Sequence, residues 1–383
     1  GAAGNDVLDG GAGADRLVGG AGLDCASYAS AAKSVVADLA NAGANGGDAF
    51  GDIFSGIENI SGSNFADTLR GDTHNNVLSG RAGNDSLDGA AGNDVLDGGA
   101  GADRLVGGAG LDCASYASAA KSVVADLANA EANGGDAFGD IFSGIENISG
   151  SNFADTLRGD THNNVLSGRA GNDSLDGAAG NDVLDGGAGA DRLVGGAGLD
   201  CASYASAAKS VVADLANAGA NGGDAFGDIF SGIENISGSN FADTLRGDTH
   251  NNVLSGGAGN DSLDGAAGND VLDGGAGADI LMGGYGADRF QFQSTGDTIP
   301  GSRDTISDFV HGLDRIDLRL IDANTNVSGD QEFSFIGDHG FSGKAGEMHF
   351  VDHVLSGDVN GDSIADFSIY IRGTGPSYPD FFL

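Results

Sequence analysis

Apolar residues return along most of this chain at every ninth position. That spacing fits neither the turn of a helix, about 3.6 residues, nor the plain alternation of a long strand. The units GAAGNDVLD, GGAGADRLV and GGAGLDCAS follow one another without a gap over residues 1–27. Their shared plan puts glycine at positions 1, 2 and 4, aspartate at 6 and a large aliphatic at 8. Glycine tolerates positive φ and close backbone approach, so positions 1–6 predict a turn. Positions 7–9 predict a strand of three residues with one side chain pointing inward. Such a strand is not stable alone. Stacking many of them in a parallel roll buries the position-8 residues, among them Leu8, Leu17, Leu96, Leu105 and Leu272, as a continuous ladder. A helix is excluded, because each glycine would cost it roughly 1 kcal/mol. The predicted fold class is all-β: a parallel β-roll or β-helix solenoid of nonapeptides with a β-rich C-terminal cap.

A longer period encloses the short one. GAAGNDVLDG begins at residues 1, 89, 177 and 265, and the 88-residue copies are nearly identical. Three nonapeptides occupy 1–27, and runs of six occupy 62–115, 150–203 and 238–291. Inserts fill 28–61, 116–149 and 204–237. In the first insert the apolar segments Val35–Leu39 and Ile57–Ile60 predict longer strands that continue the stack, joined by a Gly/Asn/Asp loop at 41–52. The nonapeptides stop at Gln291, which predicts an array over 1–291 and a separate cap over 292–383.

Charge changes the picture more than composition does. Acidic residues number 56 against 17 basic ones, a formal charge of -39. Such a chain repels itself and needs multivalent cations to close up. It has no basic patch to meet phosphates, so nucleic acid is not an expected partner. No stretch is long and apolar enough to span a membrane as a helix. Cys25, Cys113 and Cys201, at position 7 of their units, are expected to be exposed or half-exposed thiols too far apart to bridge.

The pattern GGxGxDxUx, with U a large apolar residue, is met without exception at 10–18, 98–106 and 186–194. It resembles the RTX (repeats-in-toxin) family, which implies a β-roll holding Ca²⁺ between its turns. The physical reason stands apart from the name. Calcium takes six to eight oxygens, and each turn offers a position-6 carboxylate and backbone carbonyls bared by glycine. Two nonapeptides make one coil, so the turn of unit k stacks on that of unit k+2. The predicted ligands are Asp6, Asp15, Asp24, Asp85, Asp94, Asp103, Asp112, Asp173, Asp182, Asp191, Asp200, Asp261, Asp270, Asp279 and Asp288. Two units per module depart from the pattern: GSNFADTLR lacks two glycines, and GDTHNNVLS has Asn76, Asn164 or Asn252 at position 6. Well-formed pairs of turns predict about seven ions, and about thirteen if the degenerate turns also bind.

The strings DRFQF (288–292), DTISDFVHGLDRIDL (304–318), FSFIGDHGFSGKAGEM (333–348) and GDVNGDSIADFSIYI (357–371) resemble the C-terminal region of serralysin-type secreted proteins. The resemblance implies a β-rich cap with a type I secretion signal, ending in Asp380, Phe381, Phe382 and Leu383. Asp358, Asn360, Asp362 and Asp366 have the spacing of an oxygen-rich calcium loop, but a polar turn before the strand at Phe367–Ile371 is the plainer reading.

No HExxH, G-x-S-x-G or P-loop occurs, and His74, His162 and His250 recur only with the module. The expected protein is therefore not an enzyme. It is an extracellular, calcium-binding structural or adhesive repeat protein that folds on Ca²⁺ after type I secretion. It would lie outside, or on the surface of, a Gram-negative bacterium. Its expected partners are calcium, the secretion machinery, and further copies in a filament or sheet, or a cell-surface polysaccharide. Two alternatives stay open. One is the C-terminal RTX region of a larger secreted enzyme, such as a serralysin-like protease or an alginate epimerase. The other is a carbohydrate-binding module that stacks sugars on Tyr28, Phe50 and Phe54.

Overall fold

The computed structural model describes residues 1–383 and divides into two compact units, Gly1–Asp200 and Cys201–Leu383. The structure is all-β: strands, mostly of two or three residues, joined by turns, with short 3-10 segments and no α-helix.

In the first unit, parallel strands succeed one another at a register of 18 residues within the array. Val77, Leu78 and Ser79 stand opposite Val95, Leu96 and Asp97, and Val95 and Leu96 opposite Cys113 and Ala114. Two nonapeptides therefore form one coil, as the spacing predicts. Alternation sends position 8 inward and positions 7 and 9 toward the surface. Leu69, Leu78, Leu87, Leu96 and Leu105 are all fully buried, while Val77 stays 43% exposed. The short strands survive because each backbone pairs on both sides and each leucine packs between its neighbours above and below.

The glycines earn their places at the turns. Gly110 has a φ of 147°, and an added Cβ would collide with the carbonyl of Gly92 one coil earlier. Position 2 is less demanding: Arg81 and Ala90 sit there at φ 77° and 74°.

The inserts behave differently from expectation. Their strands are no longer than those of the array. Each insert supplies three strands of three residues, in the second insert Val124–Asp126, Ile141–Ser143 and Asn147–Ser149. The third of these continues the face of Cys113–Ser115, on which Asn147, Ile148 and Ser149 pair with Cys113, Ala114 and Ser115. The other face is interrupted. Ile141–Ser143 closes the sheet ending at Arg104–Ala109, and Val124–Asp126 opens a new one against Thr156–Arg158. The loop between them holds two 3-10 turns, Ala130–Ala132 and Gly135–Ala137, the first capped by the Asn129 side chain.

In the second unit the same parallel stacking runs from Val253–Ser255 through Val271–Asp273 and Arg289–Gln291 to Arg315–Asp317 and Phe381–Phe382. On the opposite face, Thr305–Ile306 pairs in parallel with Phe367–Ile371, which begins an antiparallel run through Val354–Asp358 to Glu347–Val351. Here the position-8 leucines give way to aromatic packing. Phe290 and Phe292 are buried, and Phe333 meets Phe367 edge-on at 5.5 Å. An edge-to-face ring pair fills width that one leucine per coil cannot.

Candidate metal centres

The position-6 aspartates form two ladders of carboxylates, one along each edge of the roll. Within a ladder, the backbone N–H of one aspartate donates to Oδ1 of the next, a coil later. Asp6 donates to Asp24 at 2.8 Å, Asp85 to Asp103 at 2.7 Å, and Asp94 to Asp112 at 2.8 Å. Asp173 and Asp191, Asp182 and Asp200, Asp261 and Asp279, and Asp270 and Asp288 repeat the bond at 2.7–2.9 Å. The structure thus brings together all seven pairs of well-formed turns. Of the fifteen predicted ligands, thirteen are buried, and Asp6 and Asp15 are half-buried.

The second carboxylate oxygen decides what these turns can hold. Oδ2 is buried and accepts no hydrogen bond in Asp15, Asp24, Asp85, Asp94, Asp103, Asp112, Asp173, Asp182, Asp261, Asp270, Asp279 and Asp288. Asp85 Oδ2 shares the space above Gly80 with the Gly98 carbonyl, and Asp94 Oδ2 shares that above Gly89 with the Gly107 carbonyl. Acceptors meet there without a donor between them. An unpaired buried carboxylate is costly, and a hard cation relieves it. No three acidic, histidine or cysteine side chains converge as a metal cluster, so most of an ion's shell would be backbone carbonyl. This donor set is the one Ca²⁺ prefers.

Electrostatics agree. Burial, with like-charged neighbours adding to it, pushes the carboxyls of Asp85, Asp173, Asp261 and Asp270 up to about 7. The same causes raise Asp94, Asp182, Asp279 and Asp288 to about 6.

The degenerate turns are closed by hydrogen bonds instead. In GSNFADTLR, Ser63 donates its N–H to Asp67 Oδ2 at 2.5 Å and its hydroxyl to Oδ1 at 2.9 Å, and Val35 N–H also reaches Oδ1. In GDTHNNVLS, Asn76 Nδ2 donates to the Glu58 carbonyl at 2.8 Å, and Asn164 Nδ2 to that of Glu146. An amide donor there fills the role an ion would have.

Several carboxylates in ladder positions lie outside the nonapeptides. Asp52 and Asp140, in the inserts, accept the N–H of Asp15 and Asp103 on Oδ1 and a tyrosine hydroxyl on Oδ2. Asp304 and Asp314 accept the N–H of Asp279 and Asp288. Burial and the neighbouring Asp279 raise Asp304 to about 8. Their signal in the sequence is a carboxylate two residues before an inward apolar residue, as in Asp140-Ile-Phe and Asp304-Thr-Ile.

One sugar-stacking candidate, Tyr28, is not available as a platform. Tyr28 is 1% exposed, its hydroxyl bound to Asp52, and Phe54 is half-buried, whereas Phe50 is 71% exposed. The tyrosine ring belongs to the interior because its hydroxyl ends the ladder there. The loop at 358–366 spends its oxygens on itself: Asp358 accepts the N–H groups of Gly361 and Ser363, and Asp366 that of Val359. The three cysteines are half-buried, and burial raises the Cys113 thiol to about 11.

Residues 1–24, 52–87, 79–112, 140–175, 167–200 and 228–263 match the family model of the RTX calcium-binding nonapeptide repeat, four copies. Residues 249–383 match that of the Peptidase M10 serralysin C terminal. The chain is an RTX protein with a serralysin-like C-terminal domain. Its repeats are calcium-binding repeats, and its fold is the parallel β-roll. A solved structure similar to it is the solution structure of a subunit from the Azotobacter vinelandii mannuronan C5-epimerase. Identity is 28%, over 37% of this RTX chain and 78% of that one, at a TM-score of 0.28. The matched families are repeat and secretion-type domains rather than catalytic ones.

Proposed function

We propose that this RTX protein is an extracellular structural or adhesive repeat protein that folds on binding Ca²⁺ after type I secretion. The observation that carries the reading is the ladder of buried, unpartnered Oδ2 atoms facing backbone carbonyls. A chain with a formal charge of -39 gains most from cations where its carboxylates are driest. Bound calcium would supply positive charge and a shared oxygen shell between successive coils. Asp85 with Asp103 and Asp94 with Asp112 would hold ions in one module, and the equivalent pairs in the others, giving seven ions between well-formed turns. The degenerate turns need none.

Where calcium is scarce, as in a cytosol, the chain would stay extended and pass a narrow export channel. Where it is roughly millimolar, the coils would close. In this reading the array covers 1–291 and the cap covers 292–383. The cap leaves first and nucleates folding. No helix is long and apolar enough to cross a membrane. The surface of a Gram-negative cell is the proposed location, with assembly into filaments or sheets, or attachment to polysaccharide, as the role.

One observation favours a second reading. The C-terminal match carries the name of a peptidase family, so the chain would equally serve as the RTX region of a larger secreted enzyme. Calcium titration followed by circular dichroism, light scattering and imaging tests the first reading. Disorder in chelator and β structure with assembly in calcium are expected. Strong β signal in excess chelator overturns it.

A further inference from the structure

The inserts at 28–61 and 116–149 each end in a segment that copies half of a calcium turn. In the regular ladder three features recur. The position-6 N–H donates to a carboxylate one coil later, as Asp94 does to Asp112 at 2.8 Å. The position-7 N–H donates back to the earlier position-6 carbonyl, as Cys113 does to Asp94 at 2.8 Å. The carbonyl of the later first glycine faces the earlier first glycine, as Gly107 faces Gly89.

All three features recur where the array runs into the insert. Asp112 N–H donates to Glu146 Oε2 at 2.9 Å, and Asn147 N–H returns to the Asp112 carbonyl at 2.9 Å. The Gly144 carbonyl faces Gly107 and shares its space with Asp112 Oδ2. Asp112 is fully buried, and its Oδ2 has no hydrogen-bond partner. The first insert repeats the arrangement: Asp24 N–H donates to Glu58 Oε2 at 2.8 Å, and the Gly56 carbonyl faces Gly19 beside the unpartnered Oδ2 of the fully buried Asp24. Glutamate stands where the repeat has aspartate. Only one residue separates it from its glycine, against four in a full turn.

The opposite edge of the same insert supplies the contrast. There Asp140 Oδ2 is taken by the Tyr116 hydroxyl, and no insert carbonyl faces Gly98. Asp103 Oδ2 is unpartnered on that edge too, but only at Asp112 does an insert carbonyl face it, so only there does the insert complete an acceptor pair with no donor between. A cavity of about 300 Å³, lined by Gly56, Ile57, Glu58, Asp72, His74 and Asn76, borders the first of these turns.

We infer that the inserts carry two further calcium sites, one between Asp24 and the Gly56–Glu58 turn and one between Asp112 and the Gly144–Glu146 turn. The inference rests on the calcium reading of the repeats and adds residues that lie outside any nonapeptide. Each ion would tie the last coil of a run to the insert that follows.

The test is the pair Glu58→Gln and Glu146→Gln in one full-length chain, with calcium counted by native mass spectrometry and affinities read by calorimetry. Gln keeps an oxygen to accept the Asp24 or Asp112 N–H but removes the charge. A purely structural glutamate predicts an unchanged count. The expected result is two ions lost, or bound at least about tenfold more weakly, with β structure in excess calcium retained. Glu58→Ala with Glu146→Ala should lose the same two ions, so a misfolding Gln variant does not decide the matter. Variants that bind as many ions as the parent, as tightly, overturn the insert sites alone. A parent chain that binds none overturns the calcium reading itself.

Discussion

Removing calcium should turn this chain into a protein that folds in acid and unfolds at neutral pH. Asp85, Asp173, Asp261 and Asp270 ionise near 3.8 in an open chain and at about 7 in the roll without metal. Each is at most 2% exposed, so solvent screens little of the cost. A tenfold change in ionisation is worth about 1.4 kcal/mol, so each such group costs the metal-free roll about 4 kcal/mol above pH 7. Asp94, Asp182, Asp279 and Asp288, at about 6, cost about 3 kcal/mol each. Protonating one carboxylate relieves its neighbour, so the full total overcounts. Even half of it exceeds about 10 kcal/mol, the scale of a whole domain's stability.

The sign follows from which state holds the proton. Below about pH 4 both folded and unfolded carboxyls are protonated, and the penalty is absent. Between about pH 4 and 7 the unfolded chain has ionised and the roll has not, so stability falls as pH rises. Above pH 7 the penalty is complete. Circular dichroism in chelator should show disorder at pH 7.5 and recovered β signal near pH 5, at dilutions that avoid precipitation near the sequence pI of about 4.1. Calcium then competes with protons. At pH 5, where the metal-free roll keeps its fold and these carboxyls keep their protons, calcium binding should release on the order of one proton per ion, and at pH 7.5, where the metal-free chain is open and already ionised, it should release almost none. Absence of proton release at pH 5 from a folded metal-free roll would refute the assignment of these carboxylates as ligands.

Other consequences follow from single residues. Leu96→Ala removes a fully buried rung and should cost the calcium-loaded roll about 2–5 kcal/mol in urea melts. Tyr116→Phe leaves Asp140 Oδ2 without its donor and should cost about 1–3 kcal/mol, a loss that Phe at the same volume cannot repair. Asn76→Asp replaces the amide that donates to the Glu58 carbonyl with a further acceptor, and should raise the calcium stoichiometry counted by mass spectrometry by one. The Cys113 thiol, raised to about 11 by burial, should react slowly with a disulfide reagent at pH 8 in calcium and quickly after chelation at the same pH.

What the sequence disclosed is what periodicity controls. An apolar residue every ninth position gave the inward ladder, and the doubling to an 18-residue coil is seen in Val77, Val95 and Cys113 standing in line. The pairing of Asp85 with Asp103 follows from that register alone. The inserts were less legible because their order comes from contacts distant in sequence. Tyr28 reads as an exposed aromatic until Asp52, 24 residues on, is seen to hold its hydroxyl. Glu58 and Asp52 lie outside any nonapeptide, and only the carboxylate placed two residues before Ile60 or Phe54 marks their register. Val35–Leu39 looked like a long strand from its apolar run. It is cut to three residues because Asp38 turns back to accept the N–H groups of Ala40 and Asn41.

Two kinds of junction therefore alternate along each unit. At GGxGxD turns the coils meet through facing acceptors, which repel until a cation enters. At the GSNFAD and GDTHNN turns the coils meet through Ser63 hydroxyl or Asn76 amide donors, complete without any ion. A roll built only of the first kind would gather charge in proportion to its length, and its folding would demand every ion at once. Interleaving self-satisfied turns spaces the charged stretches apart and lets each run of four well-formed units, such as 80–115, close as its own calcium-dependent step. On this argument the degenerate units are not failed repeats. They are turns that close without an ion, set between charged clamps.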